Sequence, residues 1–205
     1  IEPDTQERLI KLVDDRPDVG MVGCLIRNTD GTEQAGCRRN IPTPWKVLIH
    51  TFRLHKIFPN HPHFSSFVLT NESLPAEPIS VESISGAFML VRRAAIEKVG
   101  LFDEGYFLHC EDVDWSMRFH QSNWKILFVP DVEIIHAKGG CSKKTPFKVL
   151  RYKHKGMIRF YQKFFRKRYS RFLLWTVGLL VWMRFCLVVA NVISRTFLRV
   201  CSKSR

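Results

Sequence analysis

Three carboxylates lie within one helical turn of each other near the middle of the chain: Glu111, Asp112 and Asp114. His136 follows them at the end of an apolar segment. Carboxylates at the start of a helix, beside a histidine, are the groups that base-assisted or metal-assisted chemistry requires. An ionised Asp112 at a helix N-terminus would be favoured by the helix dipole, and it could take a proton from a hydroxyl group held against it. The alternative is that all three carboxylates cap and solvate an ordinary helix, and their spacing alone leaves both interpretations open.

Two further groups of residues that could contact a ligand precede these carboxylates. Ser85-Gly86-Ala87 opens an apolar segment, and Asp103-Glu104 follows a short predicted helix. Each group has a structural alternative, since Gly86 could mark a strand bulge and the acidic pair could be turn residues. Trp115 is more often a core residue than an aromatic platform for a ligand, and His136 is more often a packed or surface histidine than a metal ligand.

The chain alternates predicted strands and helices, which is typical of an α/β protein with a mixed sheet flanked by helices. Asp30-Gly31 predicts a hairpin between the first two strands, and Pro130 separates the last two. Gly100 predicts the end of one helix, and Asp112 or a neighbour predicts the N-cap of the next. Strands are predicted at 19–27, 34–39, 79–83, 86–91, 124–129 and 132–136, and helices at 4–15, within 44–58, at 93–99, at 112–120 and from 146 onward.

Charge divides the chain into two parts. Residues 138–205 contain 18 Lys and Arg and no acidic residue, whereas residues 1–137 contain 14 basic and 19 acidic residues, a net charge of −5. An overall net charge of +13 is therefore concentrated in one region. A basic region of this kind favours an anionic surface, either nucleic acid or a bilayer.

The basic region contains an apolar run from Phe172 to Ser194 that is interrupted by Arg184 and Asn191. Its length of about 20 residues is enough to span a bilayer. Basic residues flank both ends, whereas a spanning helix usually shows a bias to one side. The pattern favours a helix in the membrane interface, or a hairpin-like insertion, over a simple span; the alternative is a buried helix of a soluble core.

The six cysteines are scattered, and none forms a CxxC pair: Cys24, Cys37, Cys110, Cys141, Cys186 and Cys201. This spacing argues against a zinc site and favours reduced thiols in a cytoplasmic setting.

The order of several motifs resembles one enzyme family, densely over residues 85–136 and loosely over 40–80. The motifs are Ser85-Gly86-Ala87 through Arg92-Arg93, Val99-Gly100-Leu101-Phe102-Asp103-Glu104, Phe107, Glu111-Asp112-Val113-Asp114, Arg118, Trp124, Pro130 and His136. Together they resemble the C-terminal half of a family-2 inverting glycosyltransferase of the GT-A fold. The resemblance is greatest to bacterial rhamnosyltransferases that build O-antigen in lipopolysaccharide, or cell-wall polysaccharide, on a polyprenyl carrier.

This resemblance implies specific roles. Asp112 would be the general base that deprotonates the acceptor hydroxyl, Glu111 and Asp114 would shape the acceptor side of the pocket, and His136 would contact a divalent metal on the donor diphosphate. The remaining implied substrate-binding residues are Ser85, Gly86, Ala87, Asp103, Glu104 and Trp115. Gly86 and Ala87 would allow close approach of the donor sugar, where a larger side chain would collide.

The sequence departs from the family by lacking its nucleotide-binding half and the Asp-x-Asp metal motif. Ile1 to Thr5 resembles the segment that follows this motif. We therefore expect residues 1–142 to be the C-terminal part of a GT-A catalytic domain, as an incomplete mixed sheet, and residues 143–205 to be a membrane-associated helical tail. We further expect the isolated chain to be an inactive fragment that retains no metal, whereas the full-length enzyme would use Mg²⁺ or Mn²⁺.

The implied donor is a nucleotide-sugar, in particular dTDP-rhamnose, and the implied acceptor is a polyprenyl-diphosphate-linked sugar. The implied location is the cytoplasmic face of the bacterial inner membrane, peripheral or C-terminally inserted, because the basic tail suits an anionic leaflet. One alternative is a non-catalytic module that binds a membrane or a protein partner. Another is nucleic-acid binding through residues 143–171, which the apolar run and the absence of a recognition signature disfavour.

Overall fold

Two long parallel strands form the centre of the molecule. The computed structural model describes residues 4–58, 61–137 and 146–203. Within them, strands β1 (Val19–Arg27) and β6 (Lys125–Ile135) pair side by side. A nearly uninterrupted apolar strand such as β1 is expected where both faces of a sheet are covered, and all of its residues except the last are buried.

Short antiparallel strands complete a mixed sheet. Strand β3 (Ile79–Ser80) pairs with β6, and β5 (Leu90–Val91) pairs with β1, so the strand order is β3-β6-β1-β5. A separate two-stranded sheet joins β2 (Arg38–Arg39) to β4 (Ser83–Ile84). The predicted mixed α/β architecture, with helices flanking the sheet, is confirmed.

Seven α-helices and two 3₁₀ turns are formed by the described residues. Helix α4 ends at Gly100, whose φ of 83° lies in the left-handed region, as the sequence predicts for a helix terminus. The helices are α1 (Thr5–Asp14), α2 (Pro44–Thr51), α3 (Leu54–Ile57), α4 (Arg93–Val99), α5 (Glu111–Gln121), α6 (Pro146–Phe165) and α7 (Arg171–Lys203), and the 3₁₀ turns are Pro62–Phe64 and Leu69–Asn71.

The core has two parts. The first surrounds β1 and β6 and is closed by apolar residues of α1, α4 and α5. Its packing is tight enough that a Cβ on Gly23 would lie 2.8 Å from Cδ1 of Ile84. The second part joins Ile41, Tyr106 and Val113 to Phe160 and Val177. Helices α6 and α7 are therefore packed against the rest of the protein. The predicted domain boundary at 142/143 lies outside the described residues and stays a prediction.

The predicted return strand over 34–39 is wrong in its pairing. The turn after β1 forms, and Gln34 still donates a 2.8 Å hydrogen bond to Ile26 O. Gly36 then adopts a φ of 91°, and the chain leaves the edge of β1. Arg38 and Arg39 pair instead with Ile84 and Ser83.

The predicted break at Pro130 is also wrong, because β6 continues through it. Val129 lies opposite Cys24, whereas Glu133 lies opposite Leu25, the next residue of β1. The bulge between these pairs contains Pro130, which has no backbone N–H to donate and is tolerated at such irregularities. The strands predicted over 79–83 and 86–91 form only two-residue pieces, β3, β4 and β5.

Candidate active site

A tight turn between β4 and β5 lies against the beginning of α5. Ser85 O accepts a 3.4 Å hydrogen bond from Phe88 N–H, and Ser85 Oγ accepts one of 3.3 Å from Ala87 N–H. The exposed Gly86 N–H points toward Asp112, 3.4 Å from its Oδ2. A Cβ on Gly86 would lie 3.4 Å from the Cβ of Asp112, which is ordinary contact distance, so the turn packs directly against Asp112. The structure thus brings together Ser85, Gly86, Ala87 and Asp112.

The Asp112 carboxylate is held by three donors. Oδ2 forms an ion pair with the Arg39 guanidinium and faces Gly86 N–H, and Oδ1 accepts a 2.8 Å hydrogen bond from Val113 N–H. The side chains of Arg39 and Asp112 are 21% and 16% exposed, so solvent reaches the pair. Each carboxylate oxygen offers two acceptor positions, which leaves Oδ1 with room for one more partner.

The backbone immediately before α5 is in an unusual conformation. His109 and Cys110 have φ values of 67° and 73°, which are left-handed and uncommon for residues other than glycine. Cys110, two residues before Asp112, occupies the N-cap position without a side-chain cap, so the prediction of an N-cap at Asp112 or a neighbour is wrong, and both Glu111 and Asp112 lie in the first helical turn. Strain of this kind concentrates at functional sites.

Helix α6 buttresses this strained segment. A Cβ on Gly156 would lie 2.9 Å from His109 O and 3.2 Å from the Cβ of Cys110. Loss of hydration raises the pKa of the Cys110 thiol to about 12, so it stays protonated at neutral pH and does not compete as a nucleophile.

Glu111 is half-buried beside Asp112. Its Oε2 is buried and has no hydrogen-bond partner within the described part of the chain. Burial, and to a lesser extent the neighbouring Asp112, raises the pKa of Glu111 above its ordinary value. Buried carboxylate oxygens are rarely left without a partner, so Glu111 stays a candidate binding residue beside Asp112.

Asp114 has a different environment, since its side chain is fully buried. It bonds Arg118 Nε and Lys163 Nζ at 2.8 and 2.7 Å. Lys163 also bonds Asp103, which accepts two further hydrogen bonds from Arg159 of α6. These ion pairs fasten α6 to α5. The implied role of Asp114 in the acceptor pocket stays a prediction.

The pKa values of Asp103 and Tyr106, which lie at these ion pairs, are shifted from their ordinary values. Lys163 holds the pKa of the Asp103 carboxyl well below its usual range, assisted by Gly105 N–H and Arg159. Burial, followed by the nearby Asp114 carboxylate, raises the pKa of the Tyr106 hydroxyl. Asp103 therefore stays ionised and anchored, which fixes the loop before α5.

Of the other implied substrate-binding residues, Trp115 lies in the core and Glu104 on the surface. The Trp115 side chain is 5% exposed, donates from Nε1 to Gly100 O at 2.8 Å and packs against Phe102. This matches the core alternative for Trp115. The role of Glu104, which is exposed, stays a prediction.

His136 lies at the ends of the two central strands, where its N–H donates to Arg27 O at 3.0 Å. Its Nδ1 lies 2.9 Å from Gln34 Oε1, while Gln34 Nε2 donates to Asn28 Oδ1 and to His136 O. Because Oε1 can only accept, the network places the proton of the neutral ring on Nδ1 and leaves a lone pair on Nε2. This is the form in which imidazole binds a metal ion.

Within the described residues, no group of three or more His, Cys, Asp and Glu side chains could hold a metal ion. His136 is thus one potential ligand without a complete site, and its metal-binding role stays a prediction. The segment from the end of β1 through β2 supplies partners to both functional candidates, Gln34 to His136 and Arg39 to Asp112. Neither partner is predicted by the sequence. The Arg38-Arg39 pair is visible in the sequence, but no neighbouring residue indicates that Arg39 contacts Asp112.

Comparison with known proteins supports the resemblance. The chain is 31% identical over 158 residues to the N-acetylglucosaminyl-diphospho-decaprenol L-rhamnosyltransferase of Mycobacterium tuberculosis, in strains CDC 1551 / Oshkosh and ATCC 25618 / H37Rv, a match over 77% of this chain and 50% of the relative. It is 28% identical over 122 residues to the rhamnosyltransferase WbbL of Escherichia coli strain K12, over 55% of this chain and 45% of the relative.

The predicted similarity to rhamnosyltransferases is confirmed. The chain spans about half the length of the curated relatives it matches. No protein-family model matches it.

Proposed function

We propose that this chain carries the acceptor side of a rhamnosyltransferase, with its mixed sheet forming part of a GT-A fold. The donor is a nucleotide-diphosphate sugar, in particular dTDP-rhamnose, and the acceptor is a polyprenyl-diphosphate-linked saccharide of O-antigen or cell-wall synthesis. The reaction takes place at the cytoplasmic face of the bacterial inner membrane. The similarity to rhamnosyltransferases supports the reaction class, and the placement of Asp112 supports the chemistry.

In this proposal, Asp112 Oδ1 accepts the proton of the acceptor hydroxyl. The hydroxyl oxygen forms a bond to the anomeric carbon of the donor sugar as the bond to the diphosphate oxygen breaks on the opposite face. The nucleoside diphosphate leaves with the bonding electrons, and the configuration inverts. Arg39 and the N–H groups of Gly86 and Val113 keep the carboxylate in one orientation, which supports base catalysis by positioning.

Other residues would hold the substrates. Glu111, with its unpartnered Oε2, would bond an acceptor hydroxyl, and the exposed turn at Gly86 and Ala87 would admit the donor sugar. A divalent metal, when bound, would stabilise the charge of the leaving diphosphate, and among the described residues His136 Nε2 is available to bind it.

The test is sugar transfer by the chain together with the polypeptide that supplies its donor site. Replacing Asp112→Asn should lower kcat by about 10²–10⁴-fold, the usual contribution of a positioned general base. The matched control is Asp131→Asn, which makes the same chemical change in an exposed surface pair with Arg8 and should leave kcat unchanged. Equal activity of both variants would exclude Asp112 as the base. If neither the unaltered protein nor the variants transferred sugar, the result would favour a non-catalytic module.

A further inference from the structure

Helix α7 has one packed side and one outer side. Val177 and Val181 are buried, and they lie in the same cluster as Phe160 and Phe165 of α6. The opposite side of α7 carries apolar side chains that are exposed. We call them the outer face of α7: Phe172, Trp175, Leu179, Trp182, Met183, Cys186, Leu187, Ala190 and Ile193.

The outer face is continuous and lacks charge. Its members recur every three or four residues, with adjacent pairs at 182–183 and 186–187, so they form a single stripe along the helix. Between residues 172 and 193 this stripe is about 33 Å long at 1.5 Å per residue. An exposed apolar stripe of this length marks a surface that contacts a partner or a membrane.

By length and composition, Arg171–Ser194 could cross a membrane. Its packing argues against that orientation. Gly178 faces Ile158, with 3.5 Å between a Cβ built on Gly178 and Cδ1 of Ile158, and Phe185 contacts the His154 ring at a centroid distance of 5.3 Å. Helix α6 therefore runs beside the first half of α7.

Helix α6 could not enter hydrocarbon at low cost. It carries six cationic side chains: Lys148, Arg151, Lys153, Lys155, Arg159 and Lys163. A crossing α7 would bring several of them into the bilayer, where charged side chains are strongly disfavoured. Arg184, the one charge inside the apolar run, is exposed, but it borders a small cavity shared with His154 and Thr51 and therefore lies on the side of α7 that faces α2 and α6.

Exposed cations lie at the turn where α7 begins. Arg166, Lys167, Arg168 and Arg171 are all exposed, and the sequence has no acidic residue after position 137. Arg166 and Arg171 also line a groove of about 470 Å³ between α6 and α7, together with Trp175 and Trp182. Apolar side chains next to a basic cluster match a bilayer with anionic headgroups, whereas a second copy of this region would repel it.

We propose that α7 lies in the plane of an anionic bilayer leaflet, with its outer face in the acyl region and the Arg166–Arg171 cluster at the phosphates. The body of the protein stays on one side of the membrane, held along the length of α7. This placement extends the proposed function but is inferred from α6 and α7 alone, so it can fail or succeed independently of sugar transfer.

Tryptophan depth measurements distinguish the two orientations. Trp175 and Trp182 are seven residues apart on the outer face, which is about 10 Å along the helix axis. The purified full chain is mixed with phosphatidylglycerol-containing vesicles whose lipids are brominated at different acyl positions. Comparing the unaltered protein with Trp175→Phe and with Trp182→Phe isolates the quenching of each indole. We expect equal depths for the two; depths that differ by about 10 Å would overturn the proposal in favour of a crossing helix.

Vesicle flotation tests the lipid contact itself. Replacing Leu187→Glu places a charge on the outer face without disturbing the packed side, and it should weaken binding to anionic vesicles about tenfold or more. The matched control is Ile10→Glu on the exposed side of α1, which should bind as the unaltered protein does. Binding should be weaker on uncharged phosphatidylcholine vesicles and at high salt. Failure of the unaltered protein to float with anionic vesicles, or equal binding of both variants, would overturn the proposal.

Discussion

Asp103, Asp112 and Asp114, in and before α5, each have a cationic partner inside the protein, whereas the cations at the α6–α7 turn face solvent. In the first region, buried and half-buried charges fix backbone and side chains in one arrangement. In the second, exposed charge accompanies an exposed apolar stripe. The difference separates a region suited to chemistry, which needs fixed groups, from one suited to a surface, which needs area and charge.

The two regions are nevertheless in contact through α6. Lys163 bonds both Asp103 and Asp114, and Gly156 packs on the residues that precede Asp112. Helix α6 therefore packs against both α7 and the segment that contains the catalytic candidates. Three sets of variants, taken from the largest expected effect to the smallest, probe this connection and the contrast between the regions.

Replacing Lys163→Met should lower the free energy of unfolding by about 2 kcal/mol, because the buried Asp114 loses one of two charged partners. Chemical denaturation measures the effect. Lys155→Met, on the same helix at an exposed position, is the control and should change stability by less than about 0.5 kcal/mol. If both variants had the stability of the unaltered protein, the ion pairs between α5 and α6 would not join the two regions.

Two glycine-to-alanine changes compare tight and ordinary packing on α6 and α7. Gly156→Ala should cost about 1–3 kcal/mol in overpacking, which exceeds the gain of about 1 kcal/mol in helix propensity. Gly178→Ala adds a methyl group at ordinary contact distance from Ile158 and should keep most of that gain. Thermal unfolding should therefore shift in opposite directions, and the reverse order would show that α6 does not press on residues 109–110.

The pH dependence of stability should differ in sign between two carboxylates of the first region. The folded pKa of Asp103 is lowered, so its contribution is present above the unfolded pKa and is lost as pH falls through acidic values. The folded pKa of Glu111 is raised, so the protein loses stability as pH rises from the ordinary value of the group through the raised one.

Denaturation of Asp103→Asn and Glu111→Gln between pH 3 and pH 7 measures both effects. Asp103→Asn should be most destabilising at neutral pH, whereas Glu111→Gln should become relatively more stable there. The same pH trend in both variants would contradict the assigned causes, which are ion pairing for Asp103 and burial for Glu111.

Local patterns in the sequence predicted much of the fold. The apolar run of β1, the helix ending at Gly100 and the helix that begins at the Glu111-Asp112 pair are properties of adjacent residues, and each is found in the structure. The bulge around Pro130 and the pairing of Arg38-Arg39 with Ser83-Ile84 depend on distant strands. Local periodicity contains no information about such partners, so those predictions failed.

The same limit applies to the candidate site. The sequence indicated Asp112, Gly86 and His136 by residue type and order. It did not indicate Arg39 and Gln34, whose partners are 73 and 102 residues away. It also could not show that Asp114 is buried between two cations, because spacing within one helix does not reveal what packs against it.

The central claim is that proton transfer at α5 and membrane contact at α7 are separate functions of one chain. Sugar transfer can be measured with two acceptors, one on a long polyprenyl chain in anionic vesicles and one on a short, water-soluble chain, with the donor-binding polypeptide present. We predict that Asp112→Asn lowers transfer to both acceptors by about 10²–10⁴-fold, whereas Leu187→Glu reduces transfer only to the acceptor in vesicles. Full activity of Asp112→Asn, or an equal loss on both acceptors with Leu187→Glu, would contradict the account.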